Sequence, residues 1–147
     1  MVFLVHHARA VRSEVDPQRP LSERGRTSAS RLAQQTASRG VKPAAVWHSG
    51  KLRARQTAEP FWQACNPLAE FSAIRGLQPD DNPDLVRDQL TAETRDVMLV
   101  GHMPNIDRLH ALLLKDQDRQ PFPLHGLVAL EFDGRLWREL WRSSEPG

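Results

Sequence analysis

Apolar residues along this chain gather into short continuous runs, separated by longer amphipathic stretches. Val2-Phe3-Leu4-Val5, Ala44-Ala45-Val46-Trp47 and Val97-Met98-Leu99-Val100 are the clearest runs. Four consecutive β-branched or large apolar residues predict strands buried on both faces, as in a parallel sheet. Between the runs, apolar positions recur at helical spacing. Ser22 is placed to cap a helix that carries Ala29, Leu32, Ala33 and Thr36 on one face, with Gly40 as its stop. A second helix is predicted over 50–64, and Pro60 should kink or interrupt it. A short strand over 69–74 and a short helix over 84–90 follow. Another helix opens with Pro104 at its first position and aligns Ile106, Leu109 and Leu113. Asp133-Gly134, between apolar-rich runs at 127–132 and 136–141, predicts a hairpin. Strand and helix therefore alternate four times before the hairpin. That order predicts an α/β fold with a mostly parallel central sheet, helices on both faces and a C-terminal hairpin. By length it predicts a single domain over 1–147.

Three predicted strands stop on polar clusters: His6-His7, His48-Ser49 and Gly101-His102. In an open α/β sheet the carboxyl ends of the strands share one edge, where the binding crevice forms. Directly after the second cluster, Lys51, Arg53 and Arg55 fall in the first turns of a helix, with Ser49 as its expected N-cap. A helix N-terminus attracts anions. Basic side chains there run against the helix dipole, and a local rule broken at such a junction points to function. Phosphate is the anion that several histidines and arginines around one crevice would suit. A neutral imidazole can attack phosphorus and carry the phosphoryl group covalently. Arginine and further imidazoles then neutralise the equatorial oxygens in the transition state. This chemistry calls for no cofactor.

Composition narrows the choice of partners. The chain has 147 residues, 39% hydrophobic and 26% charged, which is ordinary for a globular protein. No apolar run approaches a membrane span, so no membrane partner is expected. The N-terminus lacks the pattern of a secretion signal, which predicts a cytoplasmic location. Cys65 is the only cysteine, so no internal disulfide can form. The formal charge is +2, and only Lys42, Lys51 and Lys115 among the 20 basic residues are lysine. Arginine suits bidentate binding of phosphate. The basic residues are interleaved with acids and tyrosine is absent, which argues against a nucleic-acid partner. Six histidines raise a metal reading through His6, His7, His48 and His102. Their spacing fits no helical His-x-x-x-His or Cys-His pattern, so no metal is expected.

Four segments, in order, resemble the histidine phosphatase superfamily (phosphoglycerate mutase-like) and, within it, the SixA-type phosphohistidine phosphatases. LVHHARA resembles the family's strand-end Leu-Val-Arg-His-Gly/Ala motif, which places the nucleophile at His7. Leu21-Ser22-Glu23-Arg24-Gly25 resembles the start of the family's first helix. HSGKLRARQTAE resembles its Ser-x-x-x-Arg-Ala-x-Gln-Thr-Ala segment, which makes Arg53 the phosphate-binding arginine. LVGHMP resembles the second-histidine motif and gives His102. The resemblance implies a phosphoglycerate mutase-like fold and a metal-independent phosphohydrolase that forms a phosphohistidine on His7. It implies as substrate a phosphohistidine-bearing protein or a small phosphoester.

One residue departs from the family pattern. His6 stands where the family has an arginine, and histidine is only partly charged near neutral pH. A phosphate dianion beside it should raise its pKa. A protonated His6 is then expected to hold phosphate oxygens, with activity weakened and favoured at mildly acidic pH. The alternative is a phosphate-binding or regulatory module with weak or no turnover. Ser49, His48 and Arg9 complete the expected substrate-binding set, and His125 could close the pocket. Asp80 and Asp81 are the candidate general acids, with Glu70 third. His110 reads as a packed or rim histidine. The sequence leaves the oligomeric state open.

Overall fold

The computed structural model describes residues 1–116 and 118–146. In chain order the elements are β1 (Val2–His6), α1 (Glu23–Ser38), β2 (Ala45–His48), α2 (Leu52–Cys65), β3 (Glu70–Ala73), α3 (Asp84–Ala92), β4 (Val97–Gly101), α4 (Asn105–Leu114), β5 (Leu127–Phe132) and β6 (Trp137–Ser143). They build one six-stranded sheet in the order β3-β2-β4-β1-β5-β6. The first four strands run parallel to one another, while β5 pairs antiparallel with β1 on its far side and β6 antiparallel with β5. The mixed α/β architecture predicted from the apolar runs is the one found.

Alternation along β1 divides its side chains between two cores. Val2 and Leu4 pack with Trp47, Leu99, Ile106 and Leu109, on the side of α3 and α4. Phe3 and Val5 pack with Leu32, Ala54 and Phe61, on the side of α1 and α2. Helices therefore cover both faces. The adjacent strands β1 and β4 send their chains to opposite faces of the sheet, which opens a crevice between their carboxyl ends. Among the described residues no helix is long and apolar enough to cross a membrane.

Two local findings bear on the crevice. Ser22 caps α1, its hydroxyl accepting the Gly25 N–H at 3.0 Å. Its own N–H donates to the Arg9 carbonyl at 2.9 Å. This presses the loop after β1 onto the helix start, where a Cβ on Gly25 would collide with the Arg9 carbonyl oxygen. The glycine of the Leu-Ser-x-x-Gly segment thus makes room for that carbonyl. Alanine would gain about 1 kcal/mol of helix propensity, but a backbone oxygen cannot swing aside as a side chain could. Gly25→Ala should therefore cost roughly 1–3 kcal/mol, the usual range for overpacking. The cost is read as a lower urea midpoint, with activity lost as Ala8 and Arg9 shift.

The second finding is that α2 continues through Pro60 without interruption. Burial of Ala54, Ala58 and Phe61 holds the helix together across the missing hydrogen bond. Pro104 stands at the cap position of α4 rather than at its first helical residue.

Candidate active site

The end of β1 is clamped on both sides. The His6 N–H donates to Gly126 O at 3.0 Å and the His7 N–H to Gly101 O at 3.1 Å. The second bond sets His7 beside the end of β4, where His102 follows directly. The His7 and His102 rings have centroids 5.0 Å apart. His6 lies 4.5 Å from His7, and His125, just before β5, stacks nearly parallel on His6 at 4.7 Å. Four imidazoles from three strand ends thus meet at one point, all buried except the half-exposed His125.

Backbone hydrogen bonds fix which nitrogen of His7 and of His6 carries the proton. His7 Nδ1 lies 2.7 Å from Ala8 O. A carbonyl only accepts, so Nδ1 carries the proton and Nε2 keeps its lone pair. Ala8 is itself held, its N–H donating to Thr57 Oγ1 at 3.0 Å while that hydroxyl donates to Arg53 O at 2.8 Å. Gln56 Oε1 accepts the Leu21 N–H at 2.8 Å. The Gln-Thr pair of the α2 segment therefore fastens both ends of the connection between β1 and α1 beside His7. Burial pushes His7 down to about 4, against the pull of the Ala8 carbonyl, with Arg53 lowering it further. Burial, then His7 and Arg53, push His102 down to about 3. At neutral pH both rings are neutral, as a nucleophile and its neighbour require.

His6 differs from what its sequence position suggested. Its Nδ1 accepts the His125 N–H at 2.8 Å, so in the neutral ring the proton sits on Nε2. Protonating Nδ1 would set donor against donor. Burial, His7 and His125 push His6 down to about 2. The occupied Nδ1 and the burial of the ring argue against a protonated His6, and so against a mildly acidic optimum built on that charge. His6 offers a neutral N–H donor in place of a guanidinium.

Positive charge comes instead from the start of α2 and from a loop. Arg53 lies in the first turn of α2, close enough to depress all three buried histidines. Its buried Nε has no hydrogen-bond partner, and neither has His102 Nδ1. Buried unpaired polar atoms call for an explanation, and the oxygens of an anion provide one. Ser49 Oγ is 2.6 Å from His102 Nε2 and accepts the Lys51 N–H at 3.2 Å. It therefore orients His102 rather than capping α2, whose cap position is Lys51, without a side-chain bond. Arg19 also acts on His7, His102 and Arg53. Its Nε donates to Val11 O at 3.0 Å and its backbone is left-handed, φ 49°. Sequence reading missed Arg19 because it stands in a polar loop without periodicity.

Residues 3–78, more than half of the chain, match the family model of the histidine phosphatase superfamily (branch 1). The chain belongs to that superfamily. It is accordingly a phosphatase, a hydrolase of phosphoryl groups. Its structure is similar to that of the protein histidine phosphatase SixA complexed with tungstate, at 25% identity and TM-score 0.87 over 97% of this chain and 96% of that one. It is also similar to a protein from Agrobacterium tumefaciens assigned as the phosphohistidine phosphatase SixA, at 27% identity and TM-score 0.81, covering 99% and 97% of the two chains. YhfR of Bacillus stearothermophilus shares the fold, at 18% identity and TM-score 0.73 over 94% of each chain. No curated protein matches the sequence significantly.

Several residues that the sequence offered to this phosphatase's site lie elsewhere. Arg9 does not turn back into the pocket, because Glu145 holds its guanidinium through bonds of 2.8 and 3.0 Å. The His48 ring packs 5.0 Å from Phe71 and its Nδ1 accepts the Gly50 N–H at 3.0 Å, so only Ser49 of that pair reaches His102. The Asp81 carboxylate accepts the Gln78 N–H at 2.9 Å as a turn-forming aspartate, and Asp80 is exposed. Glu70 faces Arg95 at 3.3 Å. Arg55 turns outward toward Glu59, 3.8 Å away. His110 is packed in a separate network, 2.8 Å from Glu139.

Among the described residues one group has the spacing of metal ligands: His6, His7 and His125, with ring nitrogens within 4.8 Å of one another. It differs from the sequence-based set by exchanging His48 and His102 for His125. A metal at His6 would need either the nitrogen already bonded to the His125 N–H or the one bearing the ring proton. Arg53 and Arg19 would repel a dication, and no carboxylate belongs to the group. This donor set fits an oxyanion better than a metal ion.

Proposed function

We propose that this chain is a metal-independent phosphohistidine phosphatase of the SixA type, a single domain working through a phosphohistidine on His7. The observation that carries the reading is the His7 ring, its Nδ1 bonded to Ala8 O and its Nε2 lone pair free, beside His102 and under the influence of Arg53. His7 Nε2 attacks phosphorus. The Arg53 guanidinium, His102, the His6 N–H and the first N–H groups of α2 hold the equatorial oxygens. Water then releases phosphate from the ring. Support comes from the SixA structure similar to this chain, which holds tungstate, a tetrahedral oxyanion like phosphate. A phosphohistidine-bearing protein fits as substrate because the longest connection between elements, residues 7–22, leaves no large insertion to cap the crevice.

The test offers the protein a phosphohistidine peptide and a phosphoserine peptide in the presence of a chelator. Phosphate should leave the first faster, with an acid-labile phosphoryl adduct on His7 at short times. Loss of activity on chelation, or an adduct on another residue, would overturn the mechanism. Preference for the phosphoserine peptide would reassign the substrate. The neutral His6 favours a second reading, a phosphate-binding module, for which phosphate binding without turnover is the expected result.

Arg53 should be the most sensitive of the oxygen-holding groups. Arg53→Ala is expected to lower kcat/KM by about 10²–10³-fold, as removal of one oxyanion donor does elsewhere. Arg53→Lys should recover only part of that, because an ammonium cannot make the forked contact. Steady-state kinetics on a small phosphoester reads both.

A further inference from the structure

Among the described residues, no hydrogen bond ties Asp80, Asp81 or Glu70, read from sequence as general acids, to the histidine cluster. The Asp81 carboxylate is bonded to Gln78, Asp80 is exposed, and Glu70 faces Arg95. The histidine cluster itself offers one group suited to the task.

His125 is placed by both its backbone and its ring. Its N–H fixes His6, and its Nδ1 lies 2.7 Å from His7 O. Because that carbonyl can only accept, Nδ1 always carries a proton, and proton exchange falls to Nε2. The ring can gain or lose the Nε2 proton without breaking a hydrogen bond or moving. The other three rings cannot take this part. His7 needs its lone pair for attack, His6 Nδ1 is bonded to a backbone N–H, and His102 is almost wholly buried. His125 is half-exposed and can exchange protons with water. Its ring centroid lies 6.0 Å from that of His7, a separation at which a phosphoryl group attacked by one ring can keep its leaving atom within reach of the other.

We infer that His125 is the general acid and base of this site, acting through Nε2. The inference rests on the reading of His7 as nucleophile. As the His7 Nε2–phosphorus bond forms, the bond from phosphorus to the leaving oxygen or nitrogen breaks, and that atom takes the proton from His125 Nε2. In the second step water attacks phosphorus and its proton passes to His125 Nε2. The nitrogen–phosphorus bond breaks, its electron pair returns to His7, and inorganic phosphate departs. The site is left as it began.

His125→Asn is the discriminating variant. Asparagine tolerates the left-handed backbone of this residue, φ 55°, and its side-chain amide can still donate to His7 O, but it has no nitrogen that titrates. Single-turnover phosphorylation of the enzyme is measured with phenyl phosphate, a poor leaving group, and with 2,4-dinitrophenyl phosphate, a good one. The expected loss is about 10²–10⁴-fold on the phenyl ester, the usual contribution of general acid catalysis, with little change on the dinitrophenyl ester. Retained turnover of the latter also shows that the variant is folded. An equal loss on both esters, or none on the phenyl ester, overturns the role of His125 while leaving His7 in place. Failure of the unsubstituted protein to form a His7 adduct with either ester overturns the nucleophile reading, and this one with it.

Discussion

Replacing His7 with alanine should reduce turnover by about 10⁴-fold or more, the scale on which loss of a covalent nucleophile acts in other hydrolases. Binding of inorganic phosphate should change much less. The groups proposed to hold an anion come from other elements: Arg53 from α2 and His102 from the end of β4. His7 enters as a neutral ring, so its removal takes away a bond-forming lone pair and leaves the local charge unaltered. Kinetics and phosphate calorimetry on the same variant separate the two quantities. A His7→Ala protein that turns over within about tenfold of the parent, a barrier change of only some 1.4 kcal/mol, would show that another residue attacks. A variant that loses phosphate binding along with turnover would show that His7 is chiefly a ligand.

A second large effect concerns acid. Three buried histidines are pushed well below their ordinary value of 6.5: His7 to about 4, His102 to about 3 and His6 to about 2. Above pH 6.5 each is neutral whether the chain is folded or not, so none affects stability. As the pH falls below 6.5 the unfolded chain binds three protons that these native rings refuse, with a lesser addition from His48 and His110, which burial also lowers. Stability should then decline at about 4 kcal/mol per pH unit until His7 begins to protonate near pH 4. A fold worth 5–15 kcal/mol would be largely spent over that interval. Urea midpoints at pH 7, 6 and 5 measure the slope. His6→Gln removes one titrating ring while its side-chain oxygen can still accept the His125 N–H, so its slope should fall by about one third. Stability that is flat between pH 7 and pH 5 would contradict neutral burial of these rings.

The sheet was legible because its strands are runs such as Val2–Val5 and Val97–Val100, apolar on both faces and cut off by polar residues. The convergence of His7, Arg53 and His102 followed from the rule that parallel strand ends share an edge. Side chains fixed by loops could not be read that way. Arg19 acts on His7 and His102 at a distance, from a left-handed residue whose Nε is tied to Val11 O, and nothing in the surrounding sequence marks that bend. Arg9 was drawn away by Glu145, a partner 136 positions along the chain. His48 and Ser49 were offered as a pair, although strand alternation already implied that neighbours point apart. The charge on His6 was misjudged because a backbone N–H, invisible in sequence, occupies the nitrogen that would take the proton.

That N–H ties two distant positions into one evolutionary unit. The backbone at residue 125 needs an acceptor, and the His6 ring supplies it. A guanidinium can only donate, so His6→Arg by itself would leave the residue 125 N–H unanswered and aim positive charge at it. A lineage moving between an arginine at position 6 and the histidine found there would therefore have to reshape the turn before β5 along the way. The two sites are expected to vary together, and grafting either residue alone into a relative should fail where exchanging both, with the turn between Phe122 and Gly126, succeeds.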